Sequence, residues 1–254
     1  MKNQYFGDIN DYWKYGLLRI LSGGKKGSAA VCWMLTPDVR GKDSKFIGYL
    51  RNPRKWEHFD HDLFYSLQEA VIIYGDRSVT RAESEHILSP GTFSYYRREL
   101  PTDLGQRREY FQEFFEASRK DKRDLVFFDP DKGLCTKQNP LARVRSVERL
   151  YFDELEDGFK RGLSVLVIQF LPFANQSEFV KKSVCDIFRR LRVENIAYFQ
   201  TQSVVFFLIP QPQHSETLRE RSERVSDVWH PEIRAVWQTR ETGQGPDQST
   251  LSEA

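Results

Sequence analysis

No stretch of this chain reaches the roughly eighteen consecutive apolar residues that a membrane-spanning helix needs. Its opening, MKNQYFGDINDYWKYG, has no uninterrupted apolar segment of leader length. The sequence therefore predicts neither membrane insertion nor export. Cysteine is scarce: Cys32, Cys135 and Cys185 are odd in number and far apart, which argues against a disulfide framework or a paired zinc site and points to a reducing, cytoplasmic compartment. The five histidines, His58, His61, His86, His214 and His230, form no cluster with metal-ligand spacing. There is no Gly-x-Ser-x-Gly elbow, and no histidine stands near Cys135, so serine and cysteine nucleophile chemistry finds no support. Charge of one sign is also missing. The net charge is +2 over 254 residues, so the overall balance neither demands nor excludes a nucleic-acid partner.

What the chain does have is a sizeable apolar fraction arranged in alternating patterns. Ile9, Trp13, Leu17, Ile20 and Leu21 recur at helical spacing, with Asp8 placed to cap and Ser22-Gly23-Gly24 to stop. The run AAVCWML (29–35), bounded by Gly27 and by Thr36-Pro37-Asp38, suits a buried strand. Further along, the pattern predicts a helix over 63–74 entered from Asp60 or Asp62, a strand over 92–100, a helix over 103–118 and a strand over 125–128. Next come a helix opened by a box-like Asp153 and Glu156, a strand over 164–171, a helix over 176–191, and two close apolar runs, ENIAYFQ and SVVFFLIP, that read as a hairpin. Strands alternating with helices imply an α/β fold: a doubly wound, mostly parallel, Rossmann-like sheet with a C-terminal antiparallel hairpin. Residues 1–210 read as one domain with an N-terminal helical segment, 211–240 as a helical extension, and 241–254 as a disordered tail.

The stretch FDPDKGL (128–134) follows the apolar Leu125, Val126 and Phe127. In an open α/β sheet ligands bind outside the carboxyl ends of the strands, so Asp129, Pro130, Asp131 and Lys132 are candidates for chemistry. The same residues also make an ordinary strand-terminating turn. On the first helix Asn10, Asp11 and Lys14 share one face at spacings of three and four, either as a site or as a cap with an intrahelical ion pair. Gln169, at the end of the strand SVLVIQF, would stand on the same rim as Asp129 if the two strands are neighbours.

The opening GDINDYWKYGLL, the strand VFFDPDKGL, the later SVLVIQFLPF and the closing hairpin resemble, in order and spacing, the bacterial ribosomal-RNA adenine methyltransferases of the RlmJ type, which have a class I methyltransferase-like fold. Gly7, Asp11 and Lys14 match that family's first segment, and Asp129 and Pro130 match the first half of its Asp-Pro-Pro-Tyr motif. The resemblance implies S-adenosylmethionine as cofactor. It implies that Asp129 and Pro130 hold an acceptor amine facing the methyl group, while Lys14 and Asp11 shape the pocket. Asp131 and Lys132 replace the proline and the stacking tyrosine; Tyr12, Trp13 and Phe170 are the aromatic side chains that would otherwise supply a platform, each of them also a candidate for the core. The glycine-rich loop of such enzymes is reduced here to LTPDVRGKD, where Thr36, Asp38 and Gly41 are the candidate cofactor contacts and Thr36-Pro37-Asp38 is equally a plain turn.

Three functions follow. A methyltransferase acting on an amine of a nucleic-acid base, in RNA or DNA, would use Arg97, Arg98, Arg143 and Arg145 for phosphate contacts. A nuclease or phosphohydrolase would hold Mg²⁺ between Asp129 and Asp131, with Asp8 or Asp11 as a further ligand, although no Glu-x-Lys follows on the SVLVIQF strand. A noncatalytic nucleotide-binding descendant would have lost the glycine loop, as this chain has.

Overall fold

The computed structural model describes residues 1–24, 28–39, 46–135 and 145–240. Gly41, Arg143 and the 241–254 tail lie outside the described residues. Along the chain run α1 (Ile9–Ser22), β1 (Ala29–Cys32), α2 (Pro53–Trp56), α3 (His61–Gln68), β2 (Phe93–Tyr96), α4 (Leu104–Lys120), β3 (Leu125–Phe128), β4 (Leu134–Cys135) and β5 (Leu150–Tyr151). The second half adds α5 (Phe152–Lys160), β6 (Ser164–Phe170), α6 (Gln176–Leu191), β7 (Asn195–Gln200), β8 (Val204–Ile209), α7 (Ser215–Trp229) and β9 (Arg234–Thr239).

Among the described residues seven strands form one mixed sheet in the order β2-β1-β3-β6-β8-β7-β9, and β4 and β5 make a separate two-stranded ladder. β2, β1, β3 and β6 pair in parallel. β8 runs against both β6 and β7, and β9 against β7, so the far half of the sheet is antiparallel. The chain moves from β1 outward to β2, then crosses to β3 on β1's other flank, so β1 and β3 frame a point where the winding direction reverses.

Strand alternation divides the core in two. Val31, Phe127, Leu166 and Phe206 face α1, α3 and α7, whereas Cys32, Phe128, Val167 and Phe207 face α4, α5 and α6. Apolar residues on both faces explain why β8 reads VVFFLI without alternation. α7 docks directly on α1: a Cβ on Gly16 would lie 2.0 Å from the indole of Trp229, so only glycine permits this approach.

Several sequence expectations need adjustment. β1 stops at Cys32 rather than Leu35, because Met34 takes φ +47° and breaks the ladder. β2 covers only Phe93–Tyr96 of the predicted 92–100, and α3 passes at Gln68 into a π-turn over Glu69–Ile73. The carboxylate that closes the start of α5 is Glu154, which accepts from the Tyr151 N–H at 2.9 Å, not Asp153. Residues 211–240 contain, besides the expected helix α7, the edge strand β9. Tyr12 and Trp13 are buried as core, but Phe170 is 40% exposed. Among the described residues no helix is long and apolar enough to cross a membrane.

Candidate functional site

Asp8 sets the first wall of the site. Its carboxylate accepts from the Asp11 N–H at 3.1 Å and starts α1, which drives Asp11 and Lys14, one turn apart, toward the carboxyl end of β3. There the Lys14 ammonium lies 2.6 Å from Asp11 Oδ1 and 2.7 Å from Asp129 Oδ2, with all three side chains buried. The second Asp11 oxygen accepts from the Gly7 N–H at 2.9 Å and the Tyr15 hydroxyl at 3.2 Å. The Tyr15 and Trp33 rings flank the ammonium at 5.1 and 5.8 Å from their centroids.

Two carboxylates share one ammonium here, and the electrostatics follow. Burial alone would pull the Lys14 ammonium down, but Asp11 and Asp129 outweigh it and hold it above its ordinary value. Burial raises the Asp11 carboxyl, Lys14 opposes that rise and Asp129 adds to it. Asp8 is pushed up to about 7 by burial and by the neighbouring Asp11.

The second wall comes from residues 1–4. The Met1 amino nitrogen donates to the Asp129 carbonyl at 2.9 Å and the Met34 carbonyl at 3.1 Å, and lies 3.0 Å from Asp131 Oδ1. The left-handed backbone of Met34 turns its carbonyl to this nitrogen, at a cost of about 1–2 kcal/mol for a non-glycine residue. The Met1 sulfur reaches Lys14 Nζ at 3.9 Å. Asp131 is also held by the Lys2 ammonium and by the Thr36 hydroxyl at 2.6 Å. Burial would raise the Asp131 carboxyl, but the Met1 ammonium, Lys2 and Thr36 outweigh it and keep it below the usual carboxylate range. Asp38 accepts from the Gln4 N–H at 3.2 Å.

The remaining candidates separate. Pro130 closes the turn by accepting from the Gly133 N–H at 3.3 Å, and Lys132 points outward to Glu148. Asn10 lies at the flank, its carbonyl oxygen accepting from the Ser203 hydroxyl at 2.7 Å. Gln169 does not reach the carboxylates. Its side-chain oxygen accepts from the Leu134 N–H at 2.8 Å and its amide donates to the Phe170 carbonyl at 3.0 Å, so it braces the Asp129 loop from behind. Gly133, at φ +76°, makes room for this brace, since a Cβ there would lie 2.4 Å from the glutamine oxygen.

The structure thus brings together Asp11, Lys14, Thr36, Asp129 and Asp131, reaches Asp38 through Gln4, keeps Pro130 in the turn between the two aspartates, and leaves Asn10, Lys132 and Gln169 on the periphery; Gly41 is outside the described residues. The arginines expected to meet phosphate are already engaged: Arg97 pairs with Glu83, Arg98 with Glu113, and Arg145 with Asp153 and Glu154 at 2.8 and 2.9 Å. Arg143 lies outside the described residues. Met1, Lys2, Gln4 and the Met34 carbonyl were not foreseen, because nothing in the local pattern of MKNQ names their distant partners.

Among the described residues no group of three or more His, Cys, Asp and Glu side chains could hold a metal ion. The carboxylates of Asp129 and Asp131 each face an ammonium instead.

No protein-family model matches the chain, and no curated protein does. Among solved structures, the chain is similar to a Legionella pneumophila protein of family DUF519, at 11% identity and TM-score 0.44, over 92% of this chain and 97% of that one.

Proposed function

We propose that this protein transfers a methyl group from S-adenosylmethionine to an amino nitrogen of a nucleic-acid base. The observation that carries the reading is the convergence of the Met34 carbonyl, the Asp129 carbonyl and the Asp131 carboxylate on one amino nitrogen, at 2.9–3.1 Å, where the winding of the sheet reverses. Acceptors so arranged fit the α-ammonium of a methionine-derived cofactor, for which Met1 is a local stand-in. It presents the same amine to the carbonyls and a sulfur to the Lys14 side of the pocket. The five strands β2, β1, β3, β6 and β7 that run in one direction, with the reversed β8 wedged between β6 and β7, support the class I methyltransferase-like part of the resemblance.

When bound, S-adenosylmethionine supplies an electrophilic sulfonium methyl. The chain's own residues then have positioning to do. Thr36 and Asp38 hold the rim beyond β1, and Asp129 and Pro130 offer oxygen acceptors that orient a base amine. Lys14 fixes the Asp129 carboxylate from below, and Asp11 fixes Lys14. The Mg²⁺ alternative is the weaker reading because both of its carboxylates are neutralised by ammonium groups rather than open to a cation.

The test is calorimetric titration with S-adenosylmethionine alongside methyl transfer to single-stranded oligonucleotides. Stoichiometric cofactor binding is expected in both wild type and Asp129→Asn, with transfer lost in the variant. Absence of binding at millimolar cofactor overturns the proposal and leaves the noncatalytic reading.

A further inference from the structure

The end of β6 separates two surfaces. Gln169 points to the α6 side, where it lines a cleft of about 430 Å³ with Leu134, Arg149, Phe179 and Lys182. The next residue, Phe170, pairs with Val204, whose side chain belongs to the opposite core, so its ring lies on the same side of the sheet as α1. Register extends this to the site: Phe127 pairs with Leu166, so Asp129 stands beside Ile168 and Phe170 lies one step further out on that face. Leu171 then bonds through its N–H to the Ser203 carbonyl at 2.9 Å, and the Ser203 hydroxyl holds Asn10, which ties the rim to the start of α1.

Two features of this rim are out of place for a structural turn. Phe170, one step out from Asp129 on a face where the site's polar side chains are buried, is 40% exposed, and Phe173, three residues on in the loop after β6, is wholly exposed. On the other side of the strand end, Arg149 and Lys182 have no carboxylate partner among the described residues, and the cleft's one acid, Asp186, is engaged by Arg189. An exposed aromatic ring beside a polar pocket, with cations on the other side of the strand end that meet no carboxylate among the described residues, Arg149 donating only to the Lys132 carbonyl at 3.4 Å, matches the two needs of a flexible polyanion whose bases stack and whose phosphates need neutralising.

We infer that a single-stranded nucleic-acid segment crosses the end of β6, with Phe170 stacking on a base on the Asp129 side, Phe173 of the loop that follows stacking on a neighbouring base, and Arg149 and Lys182 contacting phosphates on the other side. This deepens the methyltransferase reading and rests on it for the identity of the polymer. It also supplies the aromatic platform that FDPDKGL lacks. The phosphate contacts fall to residues other than the engaged Arg97, Arg98 and Arg145.

The test uses the full chain and single-stranded RNA and DNA oligonucleotides carrying 2-aminopurine, whose fluorescence responds to stacking. Phe170→Ala and Phe173→Ala are each expected to weaken binding by about 5- to 150-fold, with Phe170→Trp restoring it. Arg149→Ala with Lys182→Ala is expected to weaken binding to all sequences alike and to lower the slope of log affinity against log salt by about 0.7 per contact. RNA and DNA arms show which polymer is preferred. Circular dichroism melts that match wild type would exclude misfolding. Should methyl transfer fail while this mutational pattern holds, the track stands and the catalytic reading falls. Unchanged affinity in both phenylalanine variants, or no binding of either oligonucleotide by wild type, overturns the track even if methyl transfer is observed.

Discussion

Lys14 and Asp129, 115 positions apart in the chain, meet at 2.7 Å with both side chains shut away from water. This contact fixes α1 to the end of β3, and Asp11 completes it from the other side at 2.6 Å. One ammonium therefore serves two carboxylates in a low-dielectric setting, and the three side chains form one buried network. The arrangement is asymmetric: either acid can be neutralised with the lysine still paired, but the lysine has no substitute.

Lys14→Met keeps the length of the side chain and removes its charge. Asp11 and Asp129 are then left buried without a counter-ion, and a loss of about 3–5 kcal/mol in unfolding free energy is expected. Asp129→Asn leaves the Lys14–Asp11 pair intact and should cost less. Urea denaturation of the two variants decides the matter, and equal losses would contradict the asymmetry.

Arg107 presents a second buried charge, unrelated to the site. Its guanidinium donates to both oxygens of Glu154 at 2.8 and 2.9 Å and to the carbonyls of Pro101, Ser146 and Arg149. Lysine cannot reproduce that fork, so Arg107→Lys should lower the melting temperature substantially and Arg107→Ala should cost about 3–5 kcal/mol. Its exposed neighbour provides the control: Arg108→Ala should stay within about 0.5 kcal/mol of wild type.

The contrast between Arg107 and Arg108 also shows where reading a sequence stops. Adjacent basic residues look like one solvated patch, and only the fold reveals that the first of them meets a carboxylate 47 positions away. Elements with local signals were legible. α1 begins after its cap Asp8, and α6 and β3 span the residues that their apolar periods indicated. The meeting of Asp11, Lys14 and Asp129 was an expectation drawn from the resemblance, because spacing alone set a turn against a site at 128–134 and an intrahelical ion pair against a site on α1. Lys2 was invisible because its partner Asp131 is 129 positions away and no period links them. Gln169 stands at the strand end that the sequence indicated, but its bond to β4 had no local signal, because the Leu134 N–H that takes up its side-chain oxygen is 35 positions away.

Gly133 and Gln169 form a pair that can be tested by a cycle. Gly133→Ala puts a side chain at φ +76° and drives it into the glutamine, with an expected cost of about 1–3 kcal/mol. Gln169→Ala removes the obstruction but also the bond to the Leu134 N–H. The double variant should therefore be less damaged than the sum of the singles, with a coupling of about 0.5–3 kcal/mol. Additive losses would show that the two do not share the loop.

Residues 1–4 fill the mouth that the proposed cofactor needs, held by Lys2 on Asp131. Lys2→Ala is expected to loosen this segment, lower stability and tighten the binding of S-adenosylmethionine in the same calorimetric titration. Weaker binding in the variant would mean that Lys2 belongs to the cofactor's own surroundings.

Stability should fall between pH 4 and pH 7 because of Asp8. Burial and Asp11 push its carboxyl up to about 7 in the folded protein, against an ordinary value of 3.8. Between those values the folded chain keeps a proton that the unfolded chain has released, so raising the pH favours unfolding. Asp11, also raised, acts in the same sense. Asp131 acts in the opposite one: it is held below its ordinary value, so its contribution is present above about pH 4 and is lost on further acidification. Asp8→Asn keeps the cap on α1, since asparagine caps as well as aspartate, but carries no charge to bury. Its melting temperature should decline less than that of wild type from pH 5 to pH 8 and exceed it at pH 8. Asp131→Asn should instead be less stable than wild type at pH 7 and approach it near pH 3. Melting curves for the three proteins across pH 3–8 separate the two groups, and a decline in Asp8→Asn as steep as that of wild type would assign the effect to Asp11 alone.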